Sequence, residues 1–159
     1  MGAPLKVLMV EDSEDDSELL VHELRRGGFD LSWTRVDTED ALRAALEDDA
    51  WDVVTSDYNM PRLSAPKALA VLKESGREIP FIVVSGVISM ERAVDLMRAG
   101  ADDFVEKNDL ARLVPAIERG LRGAEERRGR ERAEELLEDA IENMADGFAL
   151  FDAEDRFVH

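Results

Sequence analysis

The sequence predicts a doubly wound α/β fold, a mostly parallel sheet with helices on both faces. Three observations predict it. Short β-rich runs alternate five times with segments of helical period. The first run, Val7, Leu8, Met9 and Val10, is continuously apolar, as a strand buried on both faces requires. Right-handed crossovers between successive βα units then leave little other than a parallel sheet covered on both sides.

Residues 5–10 form that first run, and "KVLMVEDSEDD" drives it into Glu11, Asp12, Glu14, Asp15 and Asp16. A helix follows over about 13–26, with Leu20 and Leu24 on one face, and Gly27 and Gly28 stop it. Residues 31–36 read as the second strand, and 38–48 as a helix striped by Ala41, Leu42, Ala45 and Leu46. Residues 52–56 give the third strand. After the loop "DYNMPRLS", Pro66 suits a helix's first turn, and Leu69 and Leu72 face inward before Gly76. Residues 81–84 are the fourth strand, after which Ser89 caps a helix bearing Ala93, Val94 and Met97 and closed by Gly100. Residues 103–106 make a short fifth strand before a final helix, whose first turns Pro115 is expected to bend or loosen.

The 159 residues suit one domain of about 120 residues and a remainder. The 37 Asp and Glu against 20 Lys and Arg give a net charge of −17, a field that repels phosphate backbones and anionic membrane surfaces. Nucleic acid and membrane are therefore not expected partners. The absence of Cys excludes disulfides and thiolate metal sites. No run approaches the roughly 20 apolar residues of a membrane span, and no secretory signal opens the chain, so a cytoplasmic location is expected.

In a doubly wound sheet, ligands bind beyond the carboxyl ends of the strands. The residues following strands one, three, four and five are Glu11 with Asp12, Asp57, Ser85 and Lys107. Carboxylates clustered there cannot all stay ionised without compensation, and oxygen ligands with an open coordination sphere suit Mg²⁺. Lys107 and the Ser85 hydroxyl suit phosphoryl oxygens, and Asp57 can attack phosphorus as a carboxylate nucleophile. These are the parts of an aspartyl-phosphate acceptor.

The segments "VLMVEDS", "VVTSDYNMP", "PFIVVSG" and "GADDFVEK" resemble, in order and spacing, the receiver domains of two-component response regulators over about residues 4–122. The resemblance implies a flavodoxin-like sheet of order 2-1-3-4-5. It implies Mg²⁺ held by Glu11, Asp12, Asp57 and the backbone carbonyl of Asn59, with Asp57 phosphorylated. It further implies Ser85 moving toward the phosphoryl group, Lys107 contacting it and Phe104 acting as an aromatic switch. A histidine kinase or phosphotransfer protein would be the donor, and the chain would be no enzyme beyond slow self-dephosphorylation. Four positions depart from the usual pattern: Glu11 is one methylene longer than Asp, Ala65 stands for Gly, Asn108 for Pro, and Phe104 lacks a tyrosine hydroxyl. Within the opening acidic cluster, Ser13 and Asp16 resemble a capping box, and Glu14 and Asp15 favour the helix dipole, so this second group needs no metal. His22 reads as a surface residue. With His159 the only other histidine and no glycine-rich nucleotide lid, the chain receives and does not donate.

From Asp109 to about Ala145 the pattern stays helical, on the order of 55 Å if continuous. Gly120, Gly123 and Gly129 weaken that helix by roughly 1 kcal/mol each. Ala133, Leu137, Ala140 and Met144 recur at coiled-coil spacing, which favours a parallel homodimer. "KNDLARLVPAIERGL" looks most like receivers joined to sensory PAS modules and kinases, and "IENMADGFALFDAEDRFVH" resembles the opening of a PAS domain, with a strand after Asp146 and Gly147. The expected organisation is a receiver over 1–122, a helical linker over 123–145 and a truncated PAS start over 146–159. The competing functions are an inactive receiver serving as a dimerisation scaffold, and a haloacid-dehalogenase-like phosphatase. Asn59 disfavours the phosphatase, because such enzymes carry an acid two residues beyond the nucleophile.

Overall fold

The central strands are buried on both faces because nearly every side chain in them is apolar. In β1 (Ala3–Val10) the residues Val7, Leu8, Met9 and Val10 are fully buried, and all of β3 (Val53–Ser56) and β4 (Phe81–Ser85) are buried as well. A computed structural model describes the backbone of residues 2–48, 50–86 and 88–155, and the side chains of these up to residue 142. Its five strands, completed by β2 (Phe29–Val36) and β5 (Asp103–Glu106), pair in parallel in the order β2-β1-β3-β4-β5. This is the flavodoxin-like sheet expected. The edge strand β2 starts two residues earlier than its apolar pattern suggests, since Phe29 and Asp30 pair with Ala3 and Pro4.

Alternate residues of each strand feed opposite cores, as a pleated backbone requires. Leu8, Val10, Val54 and Val83 pack with Leu42 and Leu46 of α2 (Glu39–Asp48), Leu69 and Leu72 of α3 (Ala65–Glu74) and Leu96 of α4 (Met90–Ala99). Val7, Met9, Val53, Ile82 and Val84 pack with Leu20 and Leu24 of α1 (Glu14–Arg26) and with Leu113 and Ile117 of α5 (Leu113–Asp155).

Helix ends follow their caps. The Ser13, Ser64 and Ser89 hydroxyls accept from the amides of Asp16, Lys67 and Arg92 at 3.2, 3.4 and 3.2 Å. Gly100 closes α4 at φ 116°, a left-handed conformation that glycine adopts without steric penalty. Ala65, where a glycine was the usual residue, is buried as the first residue of α3 and donates its amide to the Tyr58 carbonyl at 3.1 Å.

The C-terminal expectations need two corrections. A short 3₁₀ turn (Leu110–Arg112) precedes α5, which starts at Leu113 and so puts Pro115 in its first turn, where no intrahelical N–H bond is required. The turn ahead of α5 is 3₁₀ rather than α-helical, so the loosening expected near Pro115 falls at residues 110–112. The backbone is helical through Asp155, across Asp146 and Gly147, where a strand was expected. A strand is stable only when its N–H and C=O groups are paired in a sheet, whereas a helix satisfies them locally. Gly120 is also more than a weak helix residue, because a Cβ there would lie 3.0 Å from Pro80 Cβ, tighter than ordinary contact.

The chain divides after Ala124 into two units. The first contains the sheet and the helices covering it. The second, from Glu125, is helical to Asp155 and exposes Leu136, Leu137 and Ile141. Among the described residues no helix is long and apolar enough to cross a membrane.

Candidate functional site

The parallel ladder continues one residue past the strand ends, and this sets the site. The amides of Glu11, Asp57 and Lys107 donate to the carbonyls of Val36, Val10 and Ser85 at 2.9, 2.9 and 2.8 Å. Three strand-end residues from β1, β3 and β5 are thereby held at one edge of the sheet, where the sequence placed them. Asp12 lies beside them, exposed, and one carboxylate oxygen each from Glu11, Asp12 and Asp57 falls within 4.8 Å of the others. An all-oxygen, acidic donor set of this size fits a hard divalent cation such as Mg²⁺.

Lys107 is the hub. Its ammonium lies 3.1 Å from Glu11 Oε2, 3.1 Å from Asp57 Oδ2 and 2.6 Å from Asp16 Oδ2. Asp57 is nearly enclosed, and its second oxygen, Oδ1, accepts from the Tyr58 amide at 2.7 Å. Glu11 is 2 % exposed, with Oε1 accepting from the Ser13 amide at 3.1 Å. The additional methylene of Glu11 thus serves a carboxylate engaged with Ser13 on one side and Lys107 on the other.

Burial of Glu11 is the main reason its carboxyl is pushed up to about 7, and the neighbouring Asp57 adds to the rise. The Ser13 amide and Lys107 offset part of it. For Lys107, burial works against the charged form and is the largest single influence. The contacts from Asp16, Glu11 and Asp57 outweigh it, so the ammonium titrates above its ordinary value and stays charged.

The remaining residues sit around this centre. Ser85, the last residue of β4, is buried and touches Lys107 through its carbonyl. Phe104 is half-buried on β5 opposite Val83, packed against the core shared with α3 and α4. Asn59 is exposed in the loop after β3.

Two features were not read from the sequence. Asp16 caps nothing with its side chain: the Ser13 amide turns to Glu11, and the Asp16 carboxylate reaches Lys107. The one available signal was that α1 leaves from the same sheet edge, so its first turn overhangs the strand ends. The second feature is Arg92 of α4, whose guanidinium lies 5.6 Å from the centroid of the Tyr58 ring.

Comparison with known proteins agrees with this geometry. Residues 7–118 match the model of the response regulator receiver domain. The transcriptional regulatory protein PrrA of Mycobacterium tuberculosis is 36% identical over 118 residues, covering 74% of this chain and 50% of PrrA. The chain thus spans about half the length of this curated relative. Among solved structures, FixJ-N aligns at TM-score 0.65 and 31% identity, covering 74% of this chain and 94% of FixJ-N. The signal receiver domain of a signal transduction histidine kinase from Syntrophus aciditrophicus aligns at TM-score 0.62 and 27% identity, covering 75% and 91%. With carboxylates at the ends of β1 and β3 converging on a lysine after β5, and a family match over most of its first unit, the chain belongs to the response regulator receiver domain family.

Proposed function

We propose that this domain accepts a phosphoryl group on Asp57 in the presence of Mg²⁺ and passes the resulting state through its C-terminal helix to a downstream module. The observation that carries the reading is the pairing of a nearly enclosed aspartate with a fixed ammonium, 3.1 Å apart, beside a three-carboxylate cluster. Asp12, Asp57, Glu11 and the Asn59 carbonyl would hold the cation, which neutralises the carboxylates and the incoming phosphoryl oxygens.

In the transfer, an Asp57 oxygen forms a bond to phosphorus while the donor's P–N or P–O bond breaks, and the electron pair leaves with the donor. The donor is a histidine kinase or phosphotransfer protein, as the family implies. Lys107 supplies a positive charge at the phosphoryl oxygens. Ser85, buried at the end of β4, would follow the new group, and Phe104, which packs against the same core as α4, would repack with it.

The downstream module is a sensory PAS domain on the resemblance of residues 141–159, and the exposed Leu136, Leu137 and Ile141 support a homodimer through the helix. Intact-mass measurement after treatment with acetyl phosphate and Mg²⁺ tests the acceptor role. One added phosphoryl group is expected in the wild type and none in Asp57→Asn.

A further inference from the structure

Lys107 has three N–H donors, and in this structure three carboxylates share them. Two of the three have another role: Asp57 is the proposed acceptor, and Glu11 belongs to the cation cluster. Asp16 is outside that cluster, yet it makes the shortest of the three contacts, 2.6 Å against 3.1 Å for the others. It is also anchored, because its own amide donates to the Ser13 hydroxyl at the start of α1.

From these facts we infer that Asp16 is the resting-state counter-ion of Lys107, a positioning residue that competes with the phosphoryl group for the ammonium and so limits how tightly the domain engages it. The inference rests on the acceptor role of Asp57. Phosphorylation converts the single negative charge of Asp57 into roughly two. The ammonium must turn toward the new oxygens, and its bond to Asp16 is the one to be given up, since Asp57 itself carries the group and the cation takes Glu11. A fixed negative charge within reach of the same ammonium opposes that exchange twice, by holding Lys107 and by repelling the phosphoryl oxygens.

The test uses beryllofluoride, a phosphoryl mimic, titrated into the full chain at saturating Mg²⁺, with Mg²⁺ affinity measured separately. Asp16→Asn keeps the shape and the backbone cap but removes the charge, and it should tighten beryllofluoride binding about three- to tenfold. Its Mg²⁺ affinity should stay within about twofold of wild type, because the Asp16 carboxylate lies outside the coordinating cluster and its charge is already neutralised by the Lys107 ammonium. Asp16→Glu, which restores the charge, should return beryllofluoride affinity toward the wild-type value. Unchanged or weakened binding in Asp16→Asn would overturn the inference, as would a Mg²⁺ effect as large as the beryllofluoride effect. Absence of beryllofluoride binding in the wild type would instead remove the acceptor reading, and the Asp16 inference with it.

Discussion

The guanidinium of Arg92 rests 5.6 Å from the centre of the Tyr58 ring, so the first turn of α4 is joined to the residue that follows Asp57. Tyr58 is tied to Asp57 as well, its amide donating to Oδ1 at 2.7 Å. A change in charge at Asp57 therefore has a short physical route to α4, whose outer face carries the exposed Met90, Val94 and Met97. A cation over an aromatic face at a partly exposed site contributes about 0.5–1 kcal/mol. A double-mutant cycle in urea unfolding, built from Arg92→Ala and Tyr58→Leu, should return a coupling energy of that size, and additive single effects would deny the pairing.

Cation binding depends on the acidic cluster. Glu11→Gln combined with Asp12→Asn should weaken Mg²⁺ binding at least about tenfold, because the carboxylates supply both ligand oxygens and compensating charge. Unchanged affinity in a Mg²⁺ titration would move the site elsewhere.

Glu11 gives the unliganded domain a pH signature. Its carboxyl is raised from 4.5 to about 7 chiefly by burial, so between those values the folded protein keeps a proton that the unfolded chain releases. The stability this contributes is complete below pH 4.5 and is lost as pH rises to about 7, amounting to about 3 kcal/mol. Glu11→Gln cannot ionise. Urea unfolding in EDTA should therefore show the variant gaining on the wild type across that window, and a pH-independent difference would contradict the assignment.

Removing the hub charge leaves its three carboxylates facing one another. Lys107→Ala should lower the stability of the metal-free domain by about 1–3 kcal/mol at pH 8 while leaving the fold intact. Added Mg²⁺ should recover more stability in the variant than in the wild type, by thermal unfolding, since the cation then stands in for the lost ammonium. Equal shifts in both proteins would argue against a shared electrostatic site.

Assembly is separable from phosphorylation. The full chain should sediment as a dimer, and a truncation ending at Arg122, which lacks Leu136, Leu137 and Ile141, as a monomer. A monomer for both at about a hundred micromolar would remove the proposed dimer, since a functional assembly should be well populated there.

Much of the fold was legible because burial on both faces writes an unbroken apolar run, as in Val7 to Val10, and because Ser13, Ser89 and Gly100 mark helix ends by local hydrogen bonding. Glu11, Asp12, Asp57 and Lys107 were legible for a related reason: in a parallel sheet the residue after each strand arrives at a common edge. Asp16 was not. Its amide does what the sequence suggests at a helix start, but its carboxylate bonds Lys107, 91 positions away, and no local pattern encodes that. The helical backbone across Asp146 and Gly147 escaped for the converse reason, because strand propensity has no effect without a neighbouring strand.

The central claim, that Asp57 alone is the phosphoacceptor, is tested most directly by locating the modification. Treatment with acetyl phosphate and Mg²⁺, reduction of the acyl phosphate with borohydride and peptide sequencing by mass spectrometry should find homoserine at position 57 and at no other aspartate. Reduced product at Asp12 or Asp16, or label surviving in Asp57→Asn, would contradict it.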